Sequence, residues 1–122
     1  VKLHHIDTDI AARRAVAKTY IESIDNPNII LPNWQNEESH VFHLFVIRTN
    51  QRSELQQHLL DNGIQSLIHY PLPPHKQQAY KEWNSLSYPI TESIHDQVLS
   101  LPIGPTLFKS EILSVISSCN SF

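Results

Sequence analysis

The clearest β-strand signal of the chain is the stretch VFHLFVIR at residues 41–48. β-Branched and aromatic side chains dominate this stretch, and strands favour these residue types. Alternate residues of a strand point to opposite faces, and here both faces are mostly apolar. A strand with two apolar faces is typical of the middle of a sheet that is covered on both sides. We therefore place this segment at the centre of the fold.

The segment before this strand predicts a long helix. Asp7 and Asp9 would stand near its positive end, and Pro27 ends it because proline disfavours helical geometry at the preceding residue. One face carries apolar residues at helical spacing, namely Ile6, Ile10, Ala17, Ile21 and Ile24. Beyond this helix, residues 29–31 suit a short edge strand before Pro32.

The segment after the strand predicts a helix whose one side carries Leu55, Leu59 and Leu60. Gly63 suits the left-handed position that follows a helix. A strand is then predicted at residues 64–69, and a short helix at 76–83.

Two helices and one strand are predicted in the last third of the chain. A helix from Pro89 would turn Ile90, Ile94 and Val98 inward, and residues 99–101 form a last strand. A final helix carries the apolar residues Ile112, Val115 and Ile116. The order of elements favours an α/β (α+β) fold, in which a small mixed sheet of three to four strands is covered by helices.

The composition excludes several classes of function. A length of 122 residues suits one domain with a modest core, and 40% apolar with 17% charged residues is normal for a globular protein. No apolar run could cross a membrane. The net charge of -3 and the scattered basic residues argue against a nucleic-acid partner. Two glycines are too few for a phosphate-cradling loop.

The histidines and the single cysteine do not form a recognisable reactive site. His40 and His43 would point to opposite faces of a strand, so they cannot easily share a metal ion. Cys119 excludes an internal disulfide and lies in a polar tail without a nearby base, although a reducing cytoplasm suits it. No Gly-x-Ser-x-Gly elbow is present. We expect no metal site and no autonomous hydrolase.

A rigid polar turn follows the strand predicted at residues 64–69. The sequence HYPLPPH at residues 69–75 contains three prolines, which fix the backbone and remove N–H donors. His69, Tyr70 and His75 could present hydrogen bonds to a polar ligand from such a stiff loop. The alternative is a structural crossover in which Tyr70 packs in the core and the prolines only set direction.

The turn belongs to a longer stretch that resembles a known family. The run GIQSLIHYPLPPHKQQAY at residues 63–80 is similar to the GI-x-x-x-IHYP-x-P-x-H-x-Q-x-AY signature of the DegT/StrS-type sugar aminotransferases. Other segments resemble the family in the same order, namely residues 3–20, 40–48, 52–59, 89–92 and 99–103. The resemblance therefore covers nearly the whole chain.

This resemblance implies a domain of a larger enzyme with the fold of the small domain of fold-type I aminotransferases. Residues 1–27 would form the helix that leads out of a large domain, and residues 28–122 the small C-terminal domain. The chain lacks Met and opens in mid-pattern, so we expect an excised piece without the catalytic large domain. Pyridoxal 5'-phosphate would bind in the full-length parent, through a lysine of that large domain. We expect no cofactor and no catalytic residue in this chain.

The family pattern also implies a substrate and partners. His69 and Tyr70 would face a nucleotide-linked sugar, and His75 would support the loop or reach a diphosphate oxygen. Gln77 and Tyr80 are secondary candidates. The parent would be a cytoplasmic homodimer, and an exposed apolar face should mark where its large domain and second subunit sit.

The implied activity is amino transfer from glutamate to a keto sugar nucleotide, such as a dTDP-3-keto-6-deoxyhexose. It would serve lipopolysaccharide, surface polysaccharide or amino-sugar biosynthesis, and the chain alone would be inactive. Two alternatives remain open. One is a related pyridoxal-phosphate sugar dehydratase, and the other is a stand-alone ligand-binding or interaction module with a closed surface. For Arg48 we expect an anchoring role at the strand end, and for Arg13 and Arg14 surface ion pairs.

Overall fold

The computed structural model describes residues 2–122 and contains four α-helices and two β-strands in this range. In chain order these are α1 (Ile6–Ser23), β1 (Phe45–Arg48), α2 (Arg52–Asp61), α3 (Pro89–Gln97), β2 (Val98–Leu101) and α4 (Lys109–Ser121). Short 3-10 turns occur at Lys2–His5, Glu37–Ser39, Pro74–Lys76 and Gln78–Trp83. None of the helices within residues 2–122 combines the length and apolar character that crossing a membrane requires.

β1 and β2 form an antiparallel pair at the centre of the fold, in which Phe45 lies opposite Leu101. Two further segments extend this pair through single antiparallel bridges, Ile30 to Arg48 and Leu67 to Ser100. The predicted α+β class is confirmed, but the described sheet has two full strands instead of three or four. All its pairings are antiparallel, so it is not mixed. The edge strands predicted at 29–31 and 64–69 are reduced to these bridges.

The strand predicted at residues 41–48 begins only at Phe45. Phe42 adopts a left-handed backbone with a φ of 49°, so the extended conformation of β1 does not continue through Phe42 toward the N-terminus. Its ring is buried against Trp34, with the ring centroids 4.8 Å apart. An apolar run is compatible with this buried loop as well as with a strand. In β1 itself, Phe45 and Ile47 are buried while the other face is half-buried, so the expected cover on both sides is wrong for this strand.

Arginine side chains of α1 hold the loop that precedes β1. The Nε of Arg14 donates to the carbonyl of His40 at 2.9 Å, and Nη1 of Arg13 lies 3.4 Å from the carbonyls of Phe42 and His43. The expected surface ion pairs are therefore wrong. Carbonyl groups of an irregular loop have no sheet partner, and guanidinium donors satisfy them instead.

The hydrophobic core lies between the sheet and the helices α1, α2 and α4. Its buried helix residues are Val16, Ala17, Tyr20, Leu55, Leu59, Val115, Ile116 and Cys119. Because α1 contributes to this core, it packs as part of the domain and does not project from it. The range 1–27 predicted for the leading helix includes Val1, which lies outside the described residues. The division of the chain into a leading helix, residues 1–27, and a small domain, residues 28–122, stays a prediction.

Helix boundaries agree with the prediction better than the orientation of apolar side chains does. Gly63 has a φ of +76°, as expected for the residue after α2. The helix predicted at 76–83 consists instead of 3-10 turns with a non-helical Tyr80 between them. Four apolar residues that were expected inside are exposed, namely Ile6, Leu60, Ile90 and Ile94. Periodicity identifies an apolar face, but the packing partner of that face decides whether it is buried.

Candidate functional site

His69 is fixed above the sheet at the point where the chain leaves its bridge to β2. Its Nδ1 lies 2.9 Å from the hydroxyl oxygen of Ser100, which is buried in the middle of β2. The imidazole is half-buried, so one side is held by the sheet while the other remains accessible. This arrangement orients the ring without using Nε2, which is left to donate to or accept from a ligand.

A groove of about 200 Å³ lies beside this imidazole. Its walls come from the loop before β1, the bridge segment and the end of β2, with His43, Leu44, Gln65, Leu67, His69, Ser100, Leu101, Pro102 and Ile103 as lining residues. Complete small-molecule sites usually enclose about 300–1,000 Å³. The groove therefore has the size of one wall of a site, and a second surface would have to complete it.

Tyr70 does not pack in the core, because 64% of its surface is exposed. This exposure contradicts the alternative in which the turn is a structural crossover and Tyr70 packs in the core. The carbonyl of Tyr70 accepts a hydrogen bond from Nδ1 of His95 on α3 at 2.6 Å. Its phenol therefore extends into solvent from a backbone that α3 holds.

His75 is placed differently from the other two predicted site residues. Only 5% of its surface is exposed, and its Nε2 donates to Oε1 of Glu92 at 2.9 Å. The ring of Tyr88 packs edge-on against the imidazole with centroids 4.9 Å apart. This environment suits the first role that was expected of His75, the support of the loop.

Glu92, in the first turn of α3, collects several donors from this loop region. The N–H of Tyr88 lies 3.0 Å from its carboxylate, the hydroxyl of Ser87 3.3 Å and the ammonium of Lys76 3.8 Å. The bond from His75 and then the N–H of Tyr88 hold the pKa of Glu92 below its usual range, with a smaller contribution from Lys76. The carboxylate is therefore charged at neutral pH.

Sequence reasoning missed this role of Glu92. The residue stands in the segment PITE at 89–92, which predicts the start of a helix and resembles a segment of the family, but which does not indicate a partner for this side chain. It lies 17 positions after His75 in the sequence. The intervening 3-10 turns have no periodicity from which the pairing could be predicted. The available signal was an acidic residue and an imidazole within the same set of family-like segments.

The end of β1 is anchored as predicted. Nε and Nη2 of Arg48 donate to Oε1 of Gln97 at 3.0 and 2.7 Å, which ties the strand end to the last residue of α3. Arg48 is thus engaged within the domain.

The described residues do not fit a pyridoxal phosphate site. A Schiff-base lysine needs a free amine in an enclosed pocket, whereas Lys18, Lys81 and Lys109 are exposed on the surface. The ammonium of Lys76 donates to the carbonyls of Asn84 and Leu86, both at 2.9 Å. In the same range, 2–122, no three His, Cys, Asp or Glu side chains lie close enough together to hold a metal ion.

Comparison with known proteins identifies relatives of the whole chain. A sequence model of the DegT/DnrJ/EryC1/StrS aminotransferase family matches residues 1–120. The chain is 46% identical to the dTDP-3-amino-3,6-dideoxy-alpha-D-galactopyranose transaminase of Aneurinibacillus thermoaerophilus, over 100% of this chain and 34% of the relative. It is 40% identical to the dTDP-3-amino-3,4,6-trideoxy-alpha-D-glucose transaminase of Streptomyces venezuelae, over 97% of this chain and 32% of that protein.

Solved structures show the same fold. The chain superposes with a TM-score of 0.91 on S. venezuelae DesV in complex with a ketimine intermediate, at 40% identity over 98% of this chain and 33% of that one. The TM-score is 0.82 for NtdA of Bacillus subtilis with bound cofactor PMP, at 28% identity over 92% of this chain and 28% of that one. The chain thus spans about a third of the length of these relatives. With nearly every residue matched by one family, it belongs to the DegT/DnrJ/EryC1/StrS aminotransferases.

Proposed function

We propose that this chain is the small C-terminal domain of a pyridoxal-phosphate-dependent aminotransferase that transfers an amino group from glutamate to a keto sugar nucleotide. The observation that carries this proposal is the match of 100% of the chain to 34% of a sugar-nucleotide transaminase. Residues 1–27 lead out of the large domain in this proposal, and residues 28–122 form the small domain. The catalytic lysine belongs to the large domain, since the described lysines do not fit that role.

The substrate class follows from the relatives. The relatives in A. thermoaerophilus and S. venezuelae are named for dTDP-linked 3-amino sugars. We infer that a dTDP-3-keto-6-deoxyhexose is the acceptor, and that the product enters lipopolysaccharide, surface polysaccharide or another amino-sugar product. A cytoplasmic parent suits the single reduced thiol, Cys119.

The residues of this chain would bind and orient the sugar nucleotide. His69 is held by Ser100 at the groove, so its second ring nitrogen can form a hydrogen bond to a sugar hydroxyl or a diphosphate oxygen. Tyr70, exposed on the neighbouring loop, can donate from its phenol. His75 keeps the loop in place through Glu92. In the parent, pyridoxal phosphate supplies the electron sink for the amino transfer.

Exposed apolar side chains support a larger assembly. Ile90 is 79% exposed and Phe108 is 72% exposed, although such residues are normally covered. Ile94 lies one helical turn from Ile90 and is also exposed, which widens the apolar surface of α3. In the proposed parent, the large domain and the second subunit of a homodimer cover these positions. A stand-alone module with a closed surface would not leave them open to water.

The test of this function uses a longer protein that includes the large domain. Purified protein should convert a dTDP-3-keto-6-deoxyhexose and glutamate to an amino sugar nucleotide and 2-oxoglutarate. In this protein, His69→Ala should raise the KM for the sugar nucleotide about two- to tenfold, the value of one hydrogen bond, while the KM for glutamate stays the same. His4→Ala is the matched control, because His4 is exposed and distant in sequence from the loop.

Three outcomes would contradict the proposal. Equal KM values for the sugar nucleotide in His69→Ala and in the unmutated protein would show that His69 does not contact the substrate. Loss of water from the sugar without any need for glutamate would assign a dehydratase. Absence of any reaction with a range of keto sugar nucleotides would exclude the aminotransferase function itself.

A further inference from the structure

The loop that carries His69 and Tyr70 has few internal means of keeping its shape. Prolines at positions 71, 73 and 74 have no N–H groups, so they cannot donate backbone hydrogen bonds. The described backbone bonds inside the loop are those of one 3-10 turn, in which the N–H groups of Lys76 and Gln77 donate to the carbonyls of Pro73 and Pro74. Contacts from outside the loop must therefore determine where it lies.

Two of these contacts come from side chains of α3, one at each end of the loop, beside those from Ser100 and Asn84. Nδ1 of His95 donates to the carbonyl of Tyr70 at 2.6 Å, and the carboxylate of Glu92 accepts from Nε2 of His75 at 2.9 Å. Residues three apart on a helix lie on the same face, so Glu92 and His95 act from one side of α3. Their chemistry is complementary, since the first accepts from a side chain and the second donates to a backbone carbonyl.

α3 is itself fixed to the sheet and to α2, so it can serve as a support. Nη1 of Arg52 donates to the carbonyl of His95 at 2.6 Å. Gln97 accepts two bonds from Arg48 at the end of β1. β2 begins at the next residue, Val98, without an intervening loop. A displacement of α3 would therefore disturb the central strands, whereas a displacement of the loop alone breaks only the loop's own contacts, including those to Glu92 and His95.

We propose that Glu92 and His95 are positioning residues that hold the proline-rich loop, residues 69–77, in the conformation that presents His69 and Tyr70 to the sugar nucleotide. The importance of this loop for the substrate rests on the proposed function. The positioning itself rests only on the contacts of α3. Glu92 holds the far end of the loop, and His95 holds the near end directly beside the predicted substrate residues.

The experiment uses the longer protein with bound cofactor and compares its Glu92→Ala and His95→Ala variants with the unmutated form. Hydrogen exchange of the Lys76 and Gln77 amides reports the loop directly, because these amides form its internal bonds. Each variant should accelerate this exchange about three- to tenfold, the effect of one hydrogen bond after allowance for solvent screening at Glu92. The KM for the sugar nucleotide should rise by a similar factor, while the KM for glutamate and the cofactor absorbance remain unchanged.

Conservative variants and a surface control separate positioning from general destabilisation. Glu92→Gln keeps an oxygen acceptor and His95→Asn keeps a nitrogen donor near the same place, so both should restore most of the exchange protection and sugar affinity. Asp96→Ala changes an exposed residue of the same helix that forms no side-chain hydrogen bond within the described part of the chain, and this variant should behave like the unmutated protein.

The two readouts distinguish failure of this inference from failure of the proposed function. Unchanged exchange in both alanine variants would overturn the positioning role, whatever the enzyme does. Faster exchange with an unchanged sugar KM in an active enzyme would also overturn it, because the held loop would not serve the substrate. A parent protein without transaminase activity would exclude the proposed function, and the exchange data would then still decide whether α3 holds the loop.

Discussion

Removal of the hydroxyl group of Tyr20 should measurably destabilise the chain. Tyr20 lies on α1 with 0% of its surface exposed, and its hydroxyl donates to the carbonyl of Pro102 at 2.9 Å, beyond the end of β2. Tyr20→Phe keeps the ring and its edge-on contact with Phe45, where the centroids are 5.1 Å apart. Only the hydrogen bond is lost, and the half-buried carbonyl is left without it. We expect a loss of about 1–2 kcal/mol in the free energy of unfolding.

Urea denaturation at neutral pH measures this loss. With a slope of about 2 kcal/mol per molar urea, the midpoint should fall by roughly 0.5–1 M. Tyr80→Phe is the matched control, because Tyr80 is exposed and its hydroxyl has no hydrogen-bond partner among residues 2–122. The control should change stability by less than about 0.5 kcal/mol. A Tyr20→Phe variant as stable as the control would refute the reasoning that this bond ties α1 to the sheet.

The same variant should also change how the stability of the chain depends on pH in the alkaline range. Burial raises the pKa of Tyr20 above its usual value, since the phenolate would lose its hydration inside the core. The folded state therefore binds a proton that the unfolded chain releases above about pH 10. The free energy of unfolding of the unmutated chain should decrease as the pH rises beyond that value, and that of Tyr20→Phe should decrease less steeply. Equal slopes in unfolding experiments between pH 9 and pH 11.5 would contradict this account.

Three further predictions concern other parts of the chain. Gly63→Ala should cost about 1 kcal/mol in urea denaturation, because the left-handed backbone is strained for alanine although its methyl group would meet no atom within 4 Å. Burial raises the pKa of Cys119 to about 11, so a thiol reagent at pH 8 should label it only at the rate of unfolding, and fast labelling of the native chain would contradict its burial. Glu92 has a lowered pKa, so its stabilising bond with His75 should be present above the usual carboxyl range and lost as the pH falls through the lowered value. The protection of the loop amides, relative to the free-peptide exchange rate at the same pH, should therefore decrease between pH 7 and pH 3 in the unmutated protein. It should not decrease in this way in Glu92→Ala.

Local signals in the sequence predicted the α-helices of the fold better than its strands. The two acids at the start of α1 and the left-handed Gly63 after α2 are properties of a few neighbouring residues, and the structure confirms both helices. The region around Phe42 was predicted less well, because an apolar run does not distinguish a strand from a buried loop. Here the decisive contacts come from Arg13 and Arg14, about 30 positions away in the sequence.

The candidate site could be located from the sequence but not assembled from it. The prolines and imidazoles of residues 69–75 marked the loop, since stiffness and polarity are local properties. The partners of that loop are Ser100, Glu92 and His95, which become neighbours only after β2 pairs and α3 packs. The orientation of Ile90 was missed for a related reason. Ile90 and Ile94 remain exposed within residues 2–122, and periodicity alone does not identify what an apolar face packs against.

The single bridges at both edges of the sheet have a consequence for solubility. Ile30 and Leu67 are exposed at the two edges, and an extended apolar edge strand would be a template for pairing with another molecule. Each edge here offers only one bridged residue, and prolines follow soon after at positions 32 and 71. Because proline cannot donate to a strand ladder, intermolecular β-sheet growth is interrupted at both edges. The two edges of the described sheet therefore offer little template for edge-to-edge aggregation.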